Sequence, residues 1–178
     1  MLSKIDKLIL KKNKSKIVCL TAYSKNIAEE LDKYTDIILV GDSLGSVLYN
    51  YKTTRSVDLK MMIEHSKSVR QGILKSLMIV DMPYNTYSNK SQALKNCRKV
   101  MKETKCDGVK LEGGVKIKNV VEHLVKNKIP VLGHIGLMPQ YTKGKFRYKG
   151  KKENEKVNIL ADAKIIETAG AFGIVLEC

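Results

Sequence analysis

No stretch of this 178-residue sequence stays apolar for the roughly 18 residues that a membrane-spanning helix needs. The N-terminus, Met1-Leu2-Ser3-Lys4-Ile5-Asp6-Lys7-Leu8, lacks the continuous apolar run and small-residue cleavage site of a secretory signal. It is also poorer in Arg and Ser than a transit peptide. It reads instead as a short amphipathic helix over 1–14, capped by Ser3, with Ile5, Leu8, Ile9 and Leu10 as its apolar residues. The four cysteines (Cys19, Cys97, Cys106 and Cys178) form no CxxC pair and have no His at metal-ligand spacing, which speaks against a thiolate metal site. Cys19 and Cys178 fall in apolar runs and are expected to be buried, reduced thiols, which fits the cytoplasm. No repeat, low-complexity tract or linker interrupts the chain, so one domain is expected over 1–178.

Acidic residues are scarce as well: 18 Asp and Glu stand against 33 Lys and Arg, a formal charge of +15. Such a balance raises the question of a nucleic-acid partner. The lysines, however, are scattered along the whole chain. They gather only at Lys11-Lys12-Asn13-Lys14 and in the run KGKFRYKGKK at 143–152. The second cluster alone interleaves aromatics, Phe146 and Tyr148, as a single-strand binder does. No RNP-like, KH-like or zinc-knuckle motif accompanies it, and the excess of Lys, Asn and Ile matches the coding bias of an AT-rich genome. Neither a nucleic-acid nor a membrane partner is expected.

What is present is an alternation of short apolar runs with longer helical patterns. The runs are Ile17–Thr21, Ile37–Val40, Leu77–Val80, Gly108–Leu111, Ile129–Leu132 and Gly173–Leu176. They are rich in β-branched residues and nearly continuous, as strands buried on both faces of a parallel sheet are. Helices are expected over Lys25–Lys33, Leu59–Leu74, Lys90–Thr104, Ile117–Lys126 and Asn158–Ala169. This order predicts an α/β fold, either a barrel or a doubly wound sheet. A reactive side chain follows each of the last five strands: Asp42 and Ser43, Asp81, Lys110 with Glu112, His134, and Glu177. A barrel brings all such ends to one face, whereas a doubly wound sheet spreads them along a line. The barrel is therefore preferred.

Asp42, Asp81 and Glu112 form an all-oxygen donor set suited to a hard cation such as Mg²⁺. A metal there would act as a Lewis acid on a 2-oxo acid and acidify the C–H beside its keto group. Lys110, on the same strand face as Glu112, is placed to pair with the substrate carboxylate, and Ser43 to assist it. Glu177 follows an apolar strand, so desolvation should raise its basicity and suit it to act as general base. Each assignment has a plainer rival: Asp42 as a helix cap, Lys110 as a structural partner of Glu112, and His134 as a strand-end hydrogen bonder. His65 and His123 fall on helices and are expected at the surface.

The segments LTAY (20–23), VGDSLG (40–45), DMPY (81–84), VKLEGG (109–114), GHIGLMPQ (133–140) and VLEC (175–178) occur in order across nearly the whole chain. Together they resemble the ketopantoate hydroxymethyltransferase family. The resemblance implies a (β/α)8 barrel of the phosphoenolpyruvate/pyruvate-like superfamily, Mg²⁺, and a cytoplasmic homo-oligomer, commonly a decamer. It implies transfer of the one-carbon unit of 5,10-methylenetetrahydrofolate to 3-methyl-2-oxobutanoate, giving 2-dehydropantoate in pantothenate biosynthesis. By matching motif it assigns Asp42 and Asp81 as direct metal ligands, with Glu112 in support. Asp42, Ser43, Asp81 and Lys110 become contacts to the oxo acid, Glu177 the base, and His134 a residue on the substrate side.

Six strands in 178 residues fall short of the about 250 residues typical of an eight-stranded barrel. The last two βα units are therefore expected to be missing, whether the chain is a fragment or a truncated product. Two alternatives stay open: another Mg²⁺-dependent 2-oxo-acid carbon–carbon bond enzyme on the same barrel, and a non-catalytic partial barrel. The KKCGH-like motif of the isocitrate lyase relatives is absent, which counts against the first.

Overall fold

The computed structural model describes residues 2–142 and 144–177. Six strands form one parallel sheet: β1 (Cys19–Thr21), β2 (Ile37–Val40), β3 (Leu77–Asp81), β4 (Gly108–Glu112), β5 (Val131–Gly136) and β6 (Gly173–Glu177). Their spatial order is the order of the chain, so each strand pairs with its immediate predecessor and β1 and β6 lie at the edges. The helices are α1 (Lys4–Ile9), α2 (Lys25–Leu31), α3 (Leu44–Tyr49), α4 (Leu59–Arg70), α5 (Lys90–Thr104), α6 (Lys118–Lys126) and α7 (Glu153–Thr168).

Successive residues of a strand point to opposite faces, and the core divides accordingly. Ile38, Val40, Met78, Val80, Val109, Leu111, Val131 and Ile135 pack with the helices in the larger cluster. Ile37, Leu77, Ile79 and Leu132 point the other way and cluster with Leu8 of α1. That inner column is apolar toward the strand starts. Two residues further along the same face it becomes Asp81 on β3 and His134 on β5. The sheet thus carries an oily floor and a charged rim. Gly133 belongs to the outer set, where a Cβ would come within 2.5 Å of the Ile166 side chain of α7.

The opposite ends of the strands are held by carboxylates that serve only architecture. Asp32 accepts the backbone N–H groups of Leu74, Lys75 and Ser76, Asp36 that of Val18, and Asp107 that of Met78. A cavity of 770 Å³ opens between the edges, lined by Leu8, Cys19, Leu132, Phe172 and Val175 among others. It is mostly apolar, and it contains none of the charged residues of the rim.

Several expectations require correction. Ser3 does cap the first helix, with a reciprocal bond from Asp6, but the helix ends at Ile9 rather than filling 1–14. Cys19 is exposed, because β1 is an edge strand with nothing packed over it. Cys178 lies outside the described residues. α4 stops at Arg70, short of Leu74, and α7 begins at Glu153, five residues before Asn158. α3 was not anticipated. His65 is half-buried, with Nδ1 2.8 Å from the Tyr23 carbonyl oxygen and Nε2 2.9 Å from the Tyr49 hydroxyl.

Candidate active site

Strand register assembles the rim. Asp81 is directly opposite Lys110, Glu112 opposite His134, and Gly136 opposite Glu177. In-register neighbours project from the same face, so each pair meets side by side. Lys110 Nζ lies 2.8 Å from Asp81 Oδ2, and both side chains are almost fully buried. Asp42 stands two residues beyond β2, and its N–H reaches Asp81 Oδ2 at 3.3 Å. Asp42, Ser43, Asp81, Lys110, Glu112, His134 and Glu177 all line one cavity of 370 Å³, together with Phe146 from the loop after β5. Every site residue singled out from the sequence is therefore brought to one place.

The charges are unequal: four carboxylates (Asp42, Asp81, Glu112 and Glu177) surround one ammonium. Burial, reinforced by Asp81, pushes the Asp42 carboxyl up to about 7. Burial likewise pushes Glu112 up to about 8 and raises Asp81 and Glu177. Burial alone would lower Lys110, but Asp81, Glu112 and Asp42 outweigh it and hold the ammonium above its ordinary value. His134 is pushed down to about 3, first by burial and then by Lys110, and is neutral at ordinary pH. Its Nε2 lies 2.8 Å from the Leu137 carbonyl oxygen, which can only accept, so Nε2 carries the hydrogen. The same Nε2 is 3.3 Å from Glu177 Oε2. Nδ1, buried without a partner, faces Glu112 Oε1 at 3.6 Å.

Gln140 is the residue that sequence reasoning left without a role. Its Nε2 donates to Asp42 Oδ2 at 2.8 Å and to the Met82 carbonyl at 2.9 Å, and its Oε1 accepts the Tyr87 hydroxyl. Its backbone N–H donates to Glu112 Oε2 at 3.0 Å. One buried amide thus ties the ends of β2, β3 and β4 together. Ser43 is likewise held, its hydroxyl 2.7 Å from that of Tyr23. Neither Gln140 nor Tyr23 was signalled by charge or periodicity, since an amide or a phenol at these positions looks like loop polarity.

Among the described residues no three His, Cys, Asp or Glu side chains close into a metal cage. The oxygens nonetheless fit Mg²⁺, which is usually held by one or two carboxylates and completes its shell with water and substrate. Asp42 and Asp81 adjoin one another, and buried Asp81 Oδ1 has no hydrogen-bond partner.

Comparison with known proteins bears on this arrangement. The family described as ketopantoate hydroxymethyltransferase matches residues 3–178. The 3-methyl-2-oxobutanoate hydroxymethyltransferase of Pelagibacter ubique is 57% identical over 178 residues, covering 100% of this chain and 69% of its own length. Proteins of the same name from Agrobacterium fabrum and Anaplasma marginale are 48% and 46% identical. They match 93% and 100% of this chain and 61% and 65% of their own lengths. The chain thus spans roughly two thirds of these relatives. Among solved structures, phosphonopyruvate hydrolase in complex with oxalate and Mg²⁺ superposes with a TM-score of 0.72 at 9% identity, over 98% of this chain and 63% of that one. A 2,3-dimethylmalate lyase of the phosphoenolpyruvate mutase/isocitrate lyase superfamily gives 0.65 at 13% identity, over 99% and 63%. At such identities the likeness shows the fold alone: six strands of a parallel barrel.

Proposed function

The chain belongs to the ketopantoate hydroxymethyltransferase family, and from that premise we propose that its rim is built to transfer a hydroxymethyl group from 5,10-methylenetetrahydrofolate to 3-methyl-2-oxobutanoate, giving 2-dehydropantoate. The observation that carries the reading is the convergence of Asp42, Asp81, Lys110, Glu112, His134 and Glu177 on one cavity. Its 370 Å³ lies at the small end of the range for ligand sites and suits a short oxo acid.

Asp42 and Asp81 would hold Mg²⁺ directly, with Glu112 in support through the Gln140 bridge. When bound there, the ion would supply Lewis-acid polarisation of the substrate's keto group. Lys110 holds the substrate carboxylate, its charge secured by Asp81, and Ser43 adds a hydroxyl fixed by Tyr23. Glu177 removes the proton from C3 of the oxo acid, and the electrons of that C–H bond pass toward the keto group. C3 then bonds to the one-carbon unit as its two C–N bonds to the folate break; one water supplies the hydroxyl oxygen, and its two protons with the one taken from C3 end on the product hydroxyl and the two freed folate nitrogens. Glu177 is suited to this by desolvation, which raises its basicity. Lyase chemistry on the same rim is not favoured, because the KKCGH-like motif of the isocitrate lyase relatives is absent.

A cytoplasmic homo-oligomer goes with this proposal by family membership. No described helix is long and apolar enough to cross a membrane. The test is deuterium exchange at C3 of 3-methyl-2-oxobutanoate with Mg²⁺, followed by NMR with and without the folate. Exchange should depend on Mg²⁺ and vanish in Glu177→Gln. Exchange unaffected by that change removes Glu177 from the mechanism.

A further inference from the structure

Beside the catalytic cavity lies a second one of a different kind. It measures 430 Å³ and is lined by Thr142, Lys145, Arg147 and Lys149, so every charge on its wall among the described residues is positive. Among the described residues, none of the three cations has a carboxylate within ion-pair distance. Unpaired cations gathered around a concavity are the electrostatic complement of a multiply charged anion.

The two cavities share one segment. Residues 145, 147 and 149 line the cationic cavity, whereas Phe146, between the first two, lines the catalytic one. Alternation of this kind places neighbouring side chains on opposite sides of the chain. A ligand that extends past Phe146 out of the catalytic cavity comes within reach of its chain neighbours Lys145 and Arg147. The catalytic cavity is too small to enclose both an oxo acid and a drug-sized donor, so the donor must extend outward.

We propose that the cationic cavity is a subsite for the oligo-γ-glutamate tail of a folate donor. This rests on the reading of the donor given above and deepens it. The tail is a flexible chain with one free α-carboxylate per added residue. A row of cations at alternate positions answers a chain of carboxylates better than it answers the single glutamate of the shortest folate. Rim contacts of this sort are individually weak, and three acting together should give about a tenfold preference at low salt.

Calorimetric titration of the chain with tetrahydrofolate monoglutamate, tetrahydrofolate pentaglutamate and free penta-γ-glutamate tests the subsite. The pentaglutamate should bind about tenfold more tightly than the monoglutamate, and the gap should narrow as salt rises. In the triple variant Lys145→Glu, Arg147→Glu, Lys149→Glu the pentaglutamate should fall to the monoglutamate's affinity, with the circular dichroism spectrum unchanged. Equal affinities in the unmodified chain, or a gap that survives the triple variant, overturn the inference. If neither folate binds but penta-γ-glutamate does, and the triple variant abolishes it, the anion subsite stands and the folate reading falls. A single-stranded RNA homopolymer that binds through the same three residues more tightly than the pentaglutamate also overturns it.

Discussion

Lys110 Nζ and Asp81 Oδ2 lie 2.8 Å apart because β3 and β4 pair in a register that sets these two residues opposite each other. Both are buried, so removing one leaves the other uncompensated. Lys110→Met should destabilise the fold by about 3–5 kcal/mol, the range for breaking a buried pair. Denaturant unfolding checks this. The loss should be smaller at pH 5 than at pH 8, because Asp81 can then neutralise itself by taking up a proton.

Gln140 joins the ends of β2 and β3 through its side chain and reaches that of β4 through its backbone N–H. Gln140→Leu keeps the volume but leaves Asp42, the Met82 carbonyl and the Tyr87 hydroxyl without their partner. A loss of about 2 kcal/mol or more is expected in urea unfolding, given about 1–3 kcal/mol for a buried polar group left unpaired. Mg²⁺ affinity, measured by titration calorimetry, should fall as Asp42 loses its fixed orientation. An unchanged unfolding midpoint would contradict the bridging role.

The rim makes the metal-free protein pH-sensitive. Asp42 is raised to about 7 and Glu112 to about 8, so the folded state holds protons that the unfolded chain releases near pH 4. Stability from this source is full below about pH 4 and is lost as pH climbs through 7 and 8. Asp32 and Asp36, whose carboxyls are lowered, act in the opposite sense and only in the acid range. In EDTA the melting temperature should therefore fall between pH 5 and 8.5, and Asp42→Asn should flatten the fall. Added Mg²⁺ should restore more at pH 8 than at pH 5, since it competes with the proton on Asp42.

Gly136 has a φ of +89°, and a Cβ there would come within 2.1 Å of the Glu177 carbonyl oxygen. Gly136→Ala should cost about 1–3 kcal/mol in backbone strain and displace the end of β6. The Glu177-dependent exchange reaction should suffer more than Mg²⁺ binding, which depends on distant strands. A variant that lost both equally would point to general unfolding.

Much of this could be read from the residues alone. The six apolar runs marked the strands because central parallel strands bury both faces, and the strand ends then located the rim. Pairings across the register could not be read: in sequence Lys110 has Glu112 two residues away, yet it meets Asp81 instead. Cys19 sits in a run as apolar as those of the central strands, and nothing local distinguishes an edge strand from an interior one. The first turn of α7, Glu153-Asn154-Glu155-Lys156, has no apolar face and so reads as loop until Ile159 and Ile166 supply one. Gln140 was visible only as a letter in a motif, because its importance lies in three partners from remote parts of the chain.

The sequential strand order also sets a schedule of assembly. As the chain emerges from the ribosome, each new strand finds its partner already made, so a long search between distant segments is not needed. The schedule is unfavourable at one step. β3 brings Asp81 against Asp42 before β4 delivers Lys110, so two carboxylates meet ahead of their cation. Until Lys110 has left the ribosome, that corner of the nascent protein must borrow a proton, a counterion or water.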